Sequence, residues 1–588
     1  MHKKGLIQSL LIGLCMVTAW QVQGASAPAV EAKNGMVVSS QYLASQVGID
    51  ILKRGGNAID AAAAVGYALA VTYPCCGNIG GGGFMTIRMA DGRNTFFNFR
   101  EIAPAAASER MYLDAAGNVR ANASLYGYLA AGVPGTVLGL DTAQSKYGRL
   151  TRSQVMEPAI ILAQKGFILT RDDTDVLDTK FDWFKKDPEA ARIFLRPDGS
   201  PLQPGDRLIQ NDLAKTLQAI SDHGPDAFYK GPIAQAVERA AKANGGILTA
   251  ADFADYTVTE TAPITCSYRG YNVMSAPPPS SGGTTICLIL NILEGYDLKS
   301  SGFHSASSVH YIVEAMRHAY IDRNTLLGDP QFVKNPLERL LSKNYAQLIR
   351  TKISDNQTTP STQLQPGTEP HEKPETTHYS IIDQEGNAVS TTYTVNGLFG
   401  ATVVAPGTGF FLNNNMDDFA VKPGAQNLFG LVQGTVNAIA PGKRPLSSMS
   451  PTIVTHQDKT LLVMGATGGP RIISVAVQAL LNIIDYGIPP QEAVDAPRIH
   501  HQWLPDELYV EQRGLSPDTM KLLTRMGHKF QEQTPWGACE LIMVGLPQEK
   551  QQTVESSGND SSFSGQVRPG YYYGANDARR AAGKAIGY

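Results

Sequence analysis

Two runs of strand-forming residues, 377–382 and 389–395, are separated by the turn-rich stretch 383–387, Asp-Gln-Glu-Gly-Asn. Runs of this kind joined by a short loop that contains glycine predict a β-hairpin. Two adjacent threonines, Thr376 and Thr377, stand at its start. The predicted hairpin therefore places the two threonines at the start of its first strand.

Thr376 is placed where a nucleophile would lie if the chain were cut between Glu375 and Thr376. A threonine at a new N-terminus carries a hydroxyl group and an α-amine whose ordinary pKa of about 7.7 to 8.0 suits a general base. A turn centred on Glu385 sets Thr394 opposite Thr376, so that a second hydroxyl lies beside the first. Two threonines before a strand are a weak signal alone, because β-propensity also explains them.

Composition and charge narrow the class of protein. The 588 residues contain no long Pro/Ser/Gly linker, and hydrophobic residues at 43% with charged residues at 18% are ordinary for a globular chain. We therefore expect one large α/β body. The formal net charge of -3 provides no basic surface on which nucleic-acid binding could rest.

The N-terminus has the layout of a secretory signal peptide. Lys3 and Lys4 precede an apolar run over 6–19, and small residues follow over 22–25. The apolar run is too short to span a membrane comfortably, and no other segment approaches the ~18 apolar residues that a span needs. We predict a signal peptide over 1–24, no membrane span in the mature form, and a periplasmic or secreted product.

Five cysteines follow the leader, namely Cys75, Cys76, Cys266, Cys287 and Cys539. Their odd number and wide spacing are not typical of a disulfide framework, and the lack of a Cys-x-x-Cys pair argues against a zinc site. We expect buried free thiols, although one disulfide is compatible with the sequence. No other metal-ligand pattern is present, so no metal is expected.

The rest of the chain alternates helical and strand patterns. Apolar spacing predicts a helix over 40–53 and a second helix over 58–71 that is capped by Asn57. A hairpin over 84–89 and 95–99 is expected to carry Arg100 at its end. Residues 153–255 are predicted to be mainly helical.

Two segments near the ends of predicted elements have unusual composition. Residues 356–375 are rich in Gln, Thr, Pro and Glu without periodicity, and 556–566 are polar, so a mobile segment and a surface insertion are predicted. Gly468 and Gly469 follow a predicted strand over 461–464 and precede a helix. Order alone favours a structural turn over an oxyanion hole at these glycines.

Several motifs occur together in a fixed order. They are Gly55-Gly56-Asn57-Ala58, Gly80-Gly81-Gly82-Gly83-Phe84, Phe99-Arg100-Glu101, Thr376-Thr377-His378-Tyr379-Ser380, Asn413-Asn414-Asn415-Met416-Asp417-Asp418-Phe419, Arg444-Pro445-Leu446-Ser447-Ser448-Met449-Ser450-Pro451 and Gly465-Ala466-Thr467-Gly468-Gly469. The set resembles bacterial gamma-glutamyltransferases of the N-terminal-nucleophile hydrolase superfamily over nearly the whole mature chain.

This resemblance implies a fold, a maturation step and an activity. The fold is a four-layer αββα sandwich built by two fragments of one precursor, a large subunit over 25–375 and a small catalytic subunit over 376–588, which form a heterodimer. The activity is cleavage of the γ-glutamyl amide of glutathione or related compounds, with transfer to water or to an amino acid or peptide acceptor. No cofactor is implied.

The resemblance also implies roles for residues. Arg100 would bind the substrate α-carboxylate with the Ser447 and Ser448 hydroxyls, and Asp418 would pair with the α-ammonium. The remaining roles are a nucleophile at Thr376 with Thr394 beside it, oxyanion donors at Gly468 and Gly469, and orienting hydrogen bonds from Asn396 and Asn415.

Two positions depart from the common bacterial pattern. Asn415 stands where Gln or Glu is usual, which shortens one arm of the amino-group clamp. Phe429 occupies the place of a lid tyrosine whose hydroxyl would reach Asn396, so a looser cover is expected. A glutaryl or cephalosporin acylase, which accepts substrates without the α-amine, is the alternative enzyme. A catalytically silent secreted binding protein is the alternative from another class.

Overall fold

The computed structural model describes residues 26–364, 376–428, 430–546 and 567–588. The predicted leader, Glu375, Phe429, the surface insertion over 556–566 and most of the predicted mobile segment lie outside the described residues. Within the described part of the chain, no helix is both long enough and apolar enough to cross a bilayer.

The predicted hairpin forms the centre of one seven-stranded antiparallel sheet, here called the hairpin sheet. Its two strands are Thr377–Ile382 and Ala388–Thr394, and Thr377 pairs with Tyr393. This is the register that the sequence predicts. In spatial order the strands are Lys584–Gly587, Met36–Ser39, Thr377–Ile382, Ala388–Thr394, Gly82–Arg88, Asn94–Phe99 and Thr259–Thr261.

A second seven-stranded sheet, here called the glycine-turn sheet, is also antiparallel and contains the strand that leads to Gly468 and Gly469. Both sheets combine strands from before and after Thr376. In spatial order the strands are Val30–Ala32, Tyr572–Asn576, Ala538–Val544, Lys459–Thr467, Thr452–His456, Tyr271–Ser275 and Ile264–Tyr268. Smaller sheets contain Ile499–His500, Leu508–Glu511 and Phe530–Gln533, and Phe167–Ile168 with Arg207–Leu208.

The two large sheets pack face to face, and helices cover their outer faces. Val38, Ile382, Ile453 and Val463 belong to an apolar cluster between the sheets. Two larger apolar clusters join each outer face to its helical layer. Two sheets between two helical layers confirm the predicted αββα sandwich.

The helices that cover the hairpin sheet include the predicted N-terminal pair. These helices are Tyr42–Lys53, which is capped by Gln41, and Ala58–Thr72, where Asn57 and Asp60 form a capping box. The helices downstream of this pair and before Thr376 are Thr136–Tyr147, Arg152–Lys165, Arg171–Asp178, Phe181–Phe184, Pro188–Phe194, Asn211–His223, Asp226–Tyr229, Pro232–Ala243, Ala250–Ala254, Gly282–Leu293, Leu298–Ser301, Ala306–Leu326, Leu337–Leu340 and Lys343–Arg350.

The α-helices after Thr376 are Arg471–Ile484, Pro490–Asp495 and Pro517–Arg525. Arg471–Ile484 and Gly282–Leu293 pack on the glycine-turn sheet. The helices from Arg152–Lys165 to Ala250–Ala254 confirm the prediction of a mainly helical region over 153–255.

The cysteines fall into two groups. Cys75, Cys76 and Cys539 are buried thiols outside any disulfide of the described residues, as predicted, whereas Cys266 and Cys287 form a disulfide with 2.08 Å between the sulfur atoms. The sequence left one disulfide open but did not indicate its partners. The bond joins an edge strand of the glycine-turn sheet to the helix Gly282–Leu293 that packs on it.

We predict that Cys266→Ala lowers the free energy of unfolding by about 3 kcal/mol, because the disulfide closes a loop of 21 residues in the unfolded chain. The measurement is the denaturation midpoint with and without reductant. Cys539→Ala, which removes a buried sulfur but no cross-link, is the matched control and should stay as sensitive to reductant as the wild type. Titration of all five cysteine thiols after denaturation without reductant would contradict the assignment.

Candidate active site

A small cavity collects most of the residues that the sequence predicts for the site. It lies where the hairpin sheet, the turn after Thr467 and a long helix meet. Its lining consists of Arg100, Arg323, Thr376, Thr394, Asn396, Asp418, Asn427, Leu431, Leu446, Ser447, Ser448, Met449, Gly469 and Ile472. A larger surface groove, lined by Tyr126 and Trp183 among others, contains none of the predicted site residues.

Thr376 lies at the cavity end of the central hairpin and is 4% exposed. One step along the ladder from the Thr377–Tyr393 pair brings Thr376 beside Thr394, as the sequence predicts. The Thr394 hydroxyl oxygen accepts a hydrogen bond of 2.7 Å from the Asn396 backbone amide. Thr376 and Thr394 are therefore neighbours on the wall of the cavity.

The glycines over 80–83 allow the neighbouring chain to approach this position closely. A Cβ atom on Gly81 would lie 2.0 Å from the Thr394 carbonyl oxygen, which no side chain could tolerate. The Gly81 carbonyl accepts hydrogen bonds from Gly135 and Thr136, so the backbone here is held on both sides. This glycine segment thus forms a packed support for Thr394, and Gly82 and Gly83 begin the strand Gly82–Arg88.

Arg100 is fully buried at the end of the second predicted hairpin, Gly82–Arg88 with Asn94–Phe99. Its guanidinium forms an ion pair of 3.0 Å with Glu101 and a second ion pair with Asp418. Its Nε donates to the Pro445 carbonyl oxygen at 3.3 Å. A buried cation that two carboxylates and a carbonyl oxygen contact has a fixed position. Arg100 lines the cavity beside Asp418.

Burial raises the pKa of both carboxyl groups that contact Arg100. The pKa of Glu101 rises to about 7 because desolvation outweighs the attraction of the Arg100 charge. Desolvation also raises the pKa of Asp418, against the opposing effect of Arg100. A positively charged ligand group next to Asp418 would favour its ionised form.

The two predicted asparagines occupy different places. Asn396 lines the cavity and donates from Nδ2 to the Asn414 carbonyl oxygen at 3.0 Å. Asn415 is fully buried behind the cavity wall, where its Nδ2 donates to Asp418 Oδ2 at 3.3 Å. Its Oδ1 has no partner among the described residues. Asn415 therefore orients Asp418 and is absent from the cavity lining.

Ser447 and Ser448 form part of the wall near Leu446 and Met449. The Ser447 hydroxyl oxygen accepts a hydrogen bond of 3.1 Å from the Met449 amide, and the Ser448 hydroxyl oxygen accepts one of 3.0 Å from Arg323. Since each hydroxyl accepts from the protein, each keeps its own proton for an acceptor in the cavity. Two such donors suit a carboxylate.

Gly468 and Gly469 connect the strand Lys459–Thr467 to the helix Arg471–Ile484, as predicted. Their φ angles are 122° and 56°, which side chains rarely adopt. Gly469 lines the cavity that contains Thr376. Amides at the start of a helix can stabilise a developing negative charge.

Asp417 anchors the loop that leads to the predicted lid position. Its carboxylate accepts hydrogen bonds of 2.7 Å from the Ser124 hydroxyl and from the Leu428 amide. Burial raises the pKa of Asp417 to about 7. Among the described residues, no group of three His, Cys, Asp or Glu side chains is arranged to hold a metal ion.

The sequence did not single out Arg323 or assign a role to Glu101. Arg323 follows Val313, Met316 and Tyr320 on the apolar face of the helix Ala306–Leu326, so helical spacing places it on a buried face. The sequence signal that could have identified Arg323 is a charged residue at an apolar position of this helix. Glu101 has no comparable signal, because its burial depends on contacts with distant residues.

Two face-to-face sheets between helical layers define the N-terminal-nucleophile hydrolase fold. In this chain a threonine at the start of a central strand and Gly469 line the same cavity. The Gamma-glutamyltranspeptidase family model matches residues 44–568. The chain belongs to the gamma-glutamyltranspeptidase family.

Curated relatives match over most of their length. A glutathione hydrolase proenzyme from Pseudomonas sp. (strain A14) is 54% identical, with 100% of each chain covered. Another from Escherichia coli (strain K12) is 51% identical, with 88% of this chain and 89% of the relative covered. The acylase ACY 1 proenzyme of Pseudomonas sp. (strain SE83) is 40% identical, with 84% of this chain and 87% of the relative covered.

A solved structure extends the similarity to the whole fold. The crystal structure of a cephalosporin acylase from Bacillus halodurans has a TM-score of 0.80 and 28% identity, with 96% of this chain and 98% of that chain covered. The similarity to this acylase therefore extends over the whole architecture.

We predict that Glu101→Gln changes how stability depends on pH. Because burial raises the pKa of Glu101 from 4.5 to about 7, its stabilising contribution is fully present below pH 4.5 and is lost as the pH rises through 7. The difference in melting temperature, wild type minus variant, should therefore fall between pH 4.5 and 7.5. Glu385→Gln is the control, since Arg149 lowers the pKa of this exposed carboxyl group. A difference for Glu101→Gln that is independent of pH would contradict the prediction.

Proposed function

We propose that the protein is a self-processing gamma-glutamyltransferase and glutathione hydrolase that uses Thr376 as its nucleophile. The proposal depends on one observation above all. The cavity that contains Thr376 also presents Asp418, Arg100 and two serine hydroxyl donors. A γ-glutamyl group has a zwitterionic end, with an α-ammonium and an α-carboxylate, and this arrangement offers an opposite charge to each.

The reaction follows from these positions. The Thr376 hydroxyl oxygen attacks the γ-amide carbonyl carbon, and its proton passes through the α-amine of Thr376 to the leaving nitrogen. The amides of Gly468 and Gly469 stabilise the oxyanion, and the C–N bond breaks to give a γ-glutamyl ester. Water or an acceptor amine then attacks the ester, and the proton lost by this nucleophile returns to Thr376.

Maturation uses the same hydroxyl. In the precursor, the Thr376 hydroxyl oxygen attacks the Glu375 carbonyl carbon, and the amide C–N bond breaks to give an ester and the free α-amine of Thr376. Water then hydrolyses the ester, which leaves a carboxylate on Glu375 and the hydroxyl on Thr376. The products are a large fragment over 25–375 and a small fragment over 376–588, which remain together as a heterodimer. The glutathione hydrolase relatives are named proenzymes, which supports a precursor of this kind.

The predicted partners and location belong to the same proposal. Glutathione or another γ-glutamyl compound is the donor, and an amino acid or peptide is the acceptor. The leader over 1–24 would direct the chain to the periplasm or the medium. Phe429 would cover the pocket as an apolar lid, with Asp417 holding the loop that leads to it.

Thr376→Ala should abolish both processing and turnover, because the variant lacks the oxygen that forms both esters. Thr376→Ser should keep part of each activity. The measurements are a denaturing gel with N-terminal sequencing of the smaller band, and hydrolysis of a γ-glutamyl anilide.

Thr377→Val is the matched control for this experiment. It removes the neighbouring hydroxyl, which is buried and has no partner in the described part of the chain, and it keeps the β-branched shape. This variant should still be cut and active. Two normal fragments from Thr376→Ala would refute the assignment of the nucleophile.

An acylase that accepts glutaryl or cephalosporin side chains is the second candidate. The 40% identical acylase relative and the 28% identical acylase structure favour it. One observation argues against an acylase. Asp418 lies at the cavity beside Arg100, and an acylase substrate has no ammonium group with which this carboxylate could pair. The higher identities of the glutathione hydrolases support the first proposal.

Asp418→Asn separates the two enzymes. If Asp418 binds the α-ammonium, kcat/KM for a γ-glutamyl anilide should fall roughly 10- to 100-fold, as expected for loss of a hydrogen bond between charged groups. Hydrolysis of the glutaryl anilide, which lacks that ammonium, should change by only a few-fold. An equal loss on both substrates, with normal processing on a gel, would contradict this role for Asp418.

A catalytically silent binding protein remains the candidate from another class. Thr376, Thr394 and Gly469 line one cavity, and this arrangement favours a catalytic protein over a binding protein without activity. A precursor that stays as one band and turns over neither anilide would favour it.

A further inference from the structure

Arg323 is a second buried cation at the cavity, and it differs from Arg100 in its partners. It lies on the helix Ala306–Leu326, is 2% exposed and lines the cavity with Thr376. Its guanidinium donates to Ser281 Oγ at 3.0 Å, Asn324 Oδ1 at 2.9 Å and Ser448 Oγ at 3.0 Å. All three acceptors are neutral.

The charge of Arg323 is therefore not balanced by direct contact. Among the described residues it forms no ion pair, whereas Arg100 forms two. Burial lowers the pKa of Arg323 to about 10, and Tyr320 and then the more distant Asp418 act against this decrease. Keeping a guanidinium buried without a carboxylate partner is costly, and a bound anion would offset that cost.

The hydrogen bond to Ser448 fixes the direction of the serine proton. A hydroxyl oxygen that accepts from a cation turns its own O–H away from that cation. The Ser448 O–H has no acceptor among the described residues, and Ser448 lines the cavity. The cation also polarises the hydroxyl, which strengthens the hydrogen bond that it can donate.

Ser281 holds the guanidinium in place. Its hydroxyl accepts from Arg323 Nε and donates to the Ser447 carbonyl oxygen at 2.7 Å. The Ser281 amide donates to the same carbonyl, also at 2.7 Å. Arg323 is thus connected on one side to the Ser447 backbone and on the other to the Ser448 hydroxyl.

We propose that Arg323 is a positioning residue that sets the Ser448 hydroxyl to donate to the substrate α-carboxylate and supplies the charge that this carboxylate neutralises. The inference rests on the proposed function and adds a residue to it. Arg100, which binds the α-carboxylate in the proposed function, already shares its charge with Asp418 and Glu101. Arg323 therefore adds a second cation at the cavity whose charge an entering carboxylate balances. Binding of the carboxylate, and not the chemical step at Thr376, is what Arg323 controls.

The test compares three anilides with the processed enzyme. The γ-glutamyl anilide carries both α groups, the glutaryl anilide keeps the carboxylate, and the 4-aminobutyryl anilide keeps only the amine. Arg323→Gln should raise KM roughly 10- to 100-fold for the two substrates with a carboxylate, while kcat changes by less than about threefold. KM for the 4-aminobutyryl anilide should change little. Equal losses on all three substrates would overturn the proposal.

A double-mutant cycle tests whether Arg323 acts through Ser448. In a Ser448→Ala background, Arg323→Gln should add much less to KM for the γ-glutamyl anilide than it does in the wild type. Full additivity of the two effects would overturn the positioning role. If Arg323→Gln does not mature, Arg323→Lys is used. It keeps the charge and should recover the preference for carboxylates in part.

Arg317→Gln is the matched control. Arg317 is on the same helix and equally buried, but its guanidinium contacts Glu314 and Thr358 away from the cavity. Its variant should lose stability without selectivity for the carboxylate, and the same selectivity in both variants would overturn the proposal. A wild-type enzyme that does not prefer the γ-glutamyl over the 4-aminobutyryl anilide would instead overturn the proposed function itself.

Discussion

The pairing of the two strands Thr377–Ile382 and Ala388–Thr394 is the interaction on which the site depends. One strand of this hairpin pairs with Met36–Ser39 and the other with Gly82–Arg88, so the hairpin is enclosed on both sides. A shift of one residue would turn every side chain of a strand to the opposite face of the sheet. Enclosure on both sides prevents such a shift and keeps Thr376 beside Thr394 at the cavity.

Local features of the site could be predicted from the sequence because short-range chemistry determines them. The turn over 383–387 sets the hairpin register, and the order of strand, two glycines and helix predicts the turn at Gly468 and Gly469. Features that depend on distant contacts were missed or left open. Burial of Glu101 depends on Arg100 and on packing around it, and the disulfide partner of Cys266 depends on how a helix lies on an edge strand.

Charge explains why the interior of the site tolerates so many ionisable groups. Arg100, Glu101 and Asp418 form one buried cluster in which each charge has a partner. Arg323 lies nearby and has no ion-pair partner within the described part of the chain. Burying these charged groups does not make the folded protein more stable than an apolar interior would, because well-packed apolar residues of similar volume often stabilise a fold equally well or better. Buried groups of this kind are typical of a binding site that is arranged before its ligand arrives.

The interleaving of strands would have a consequence for the protein after the proposed cut before Thr376. In the hairpin sheet, Met36–Ser39 lies between Lys584–Gly587 and Thr377–Ile382, so a strand that precedes Thr376 separates two strands that follow it. Each fragment alone would have open sheet edges, which favour aggregation. A precursor refolds as one chain, whereas separated fragments must first meet. Cleavage would therefore make unfolding a one-way event, and the lifetime of the mature protein would be set by the rate of opening.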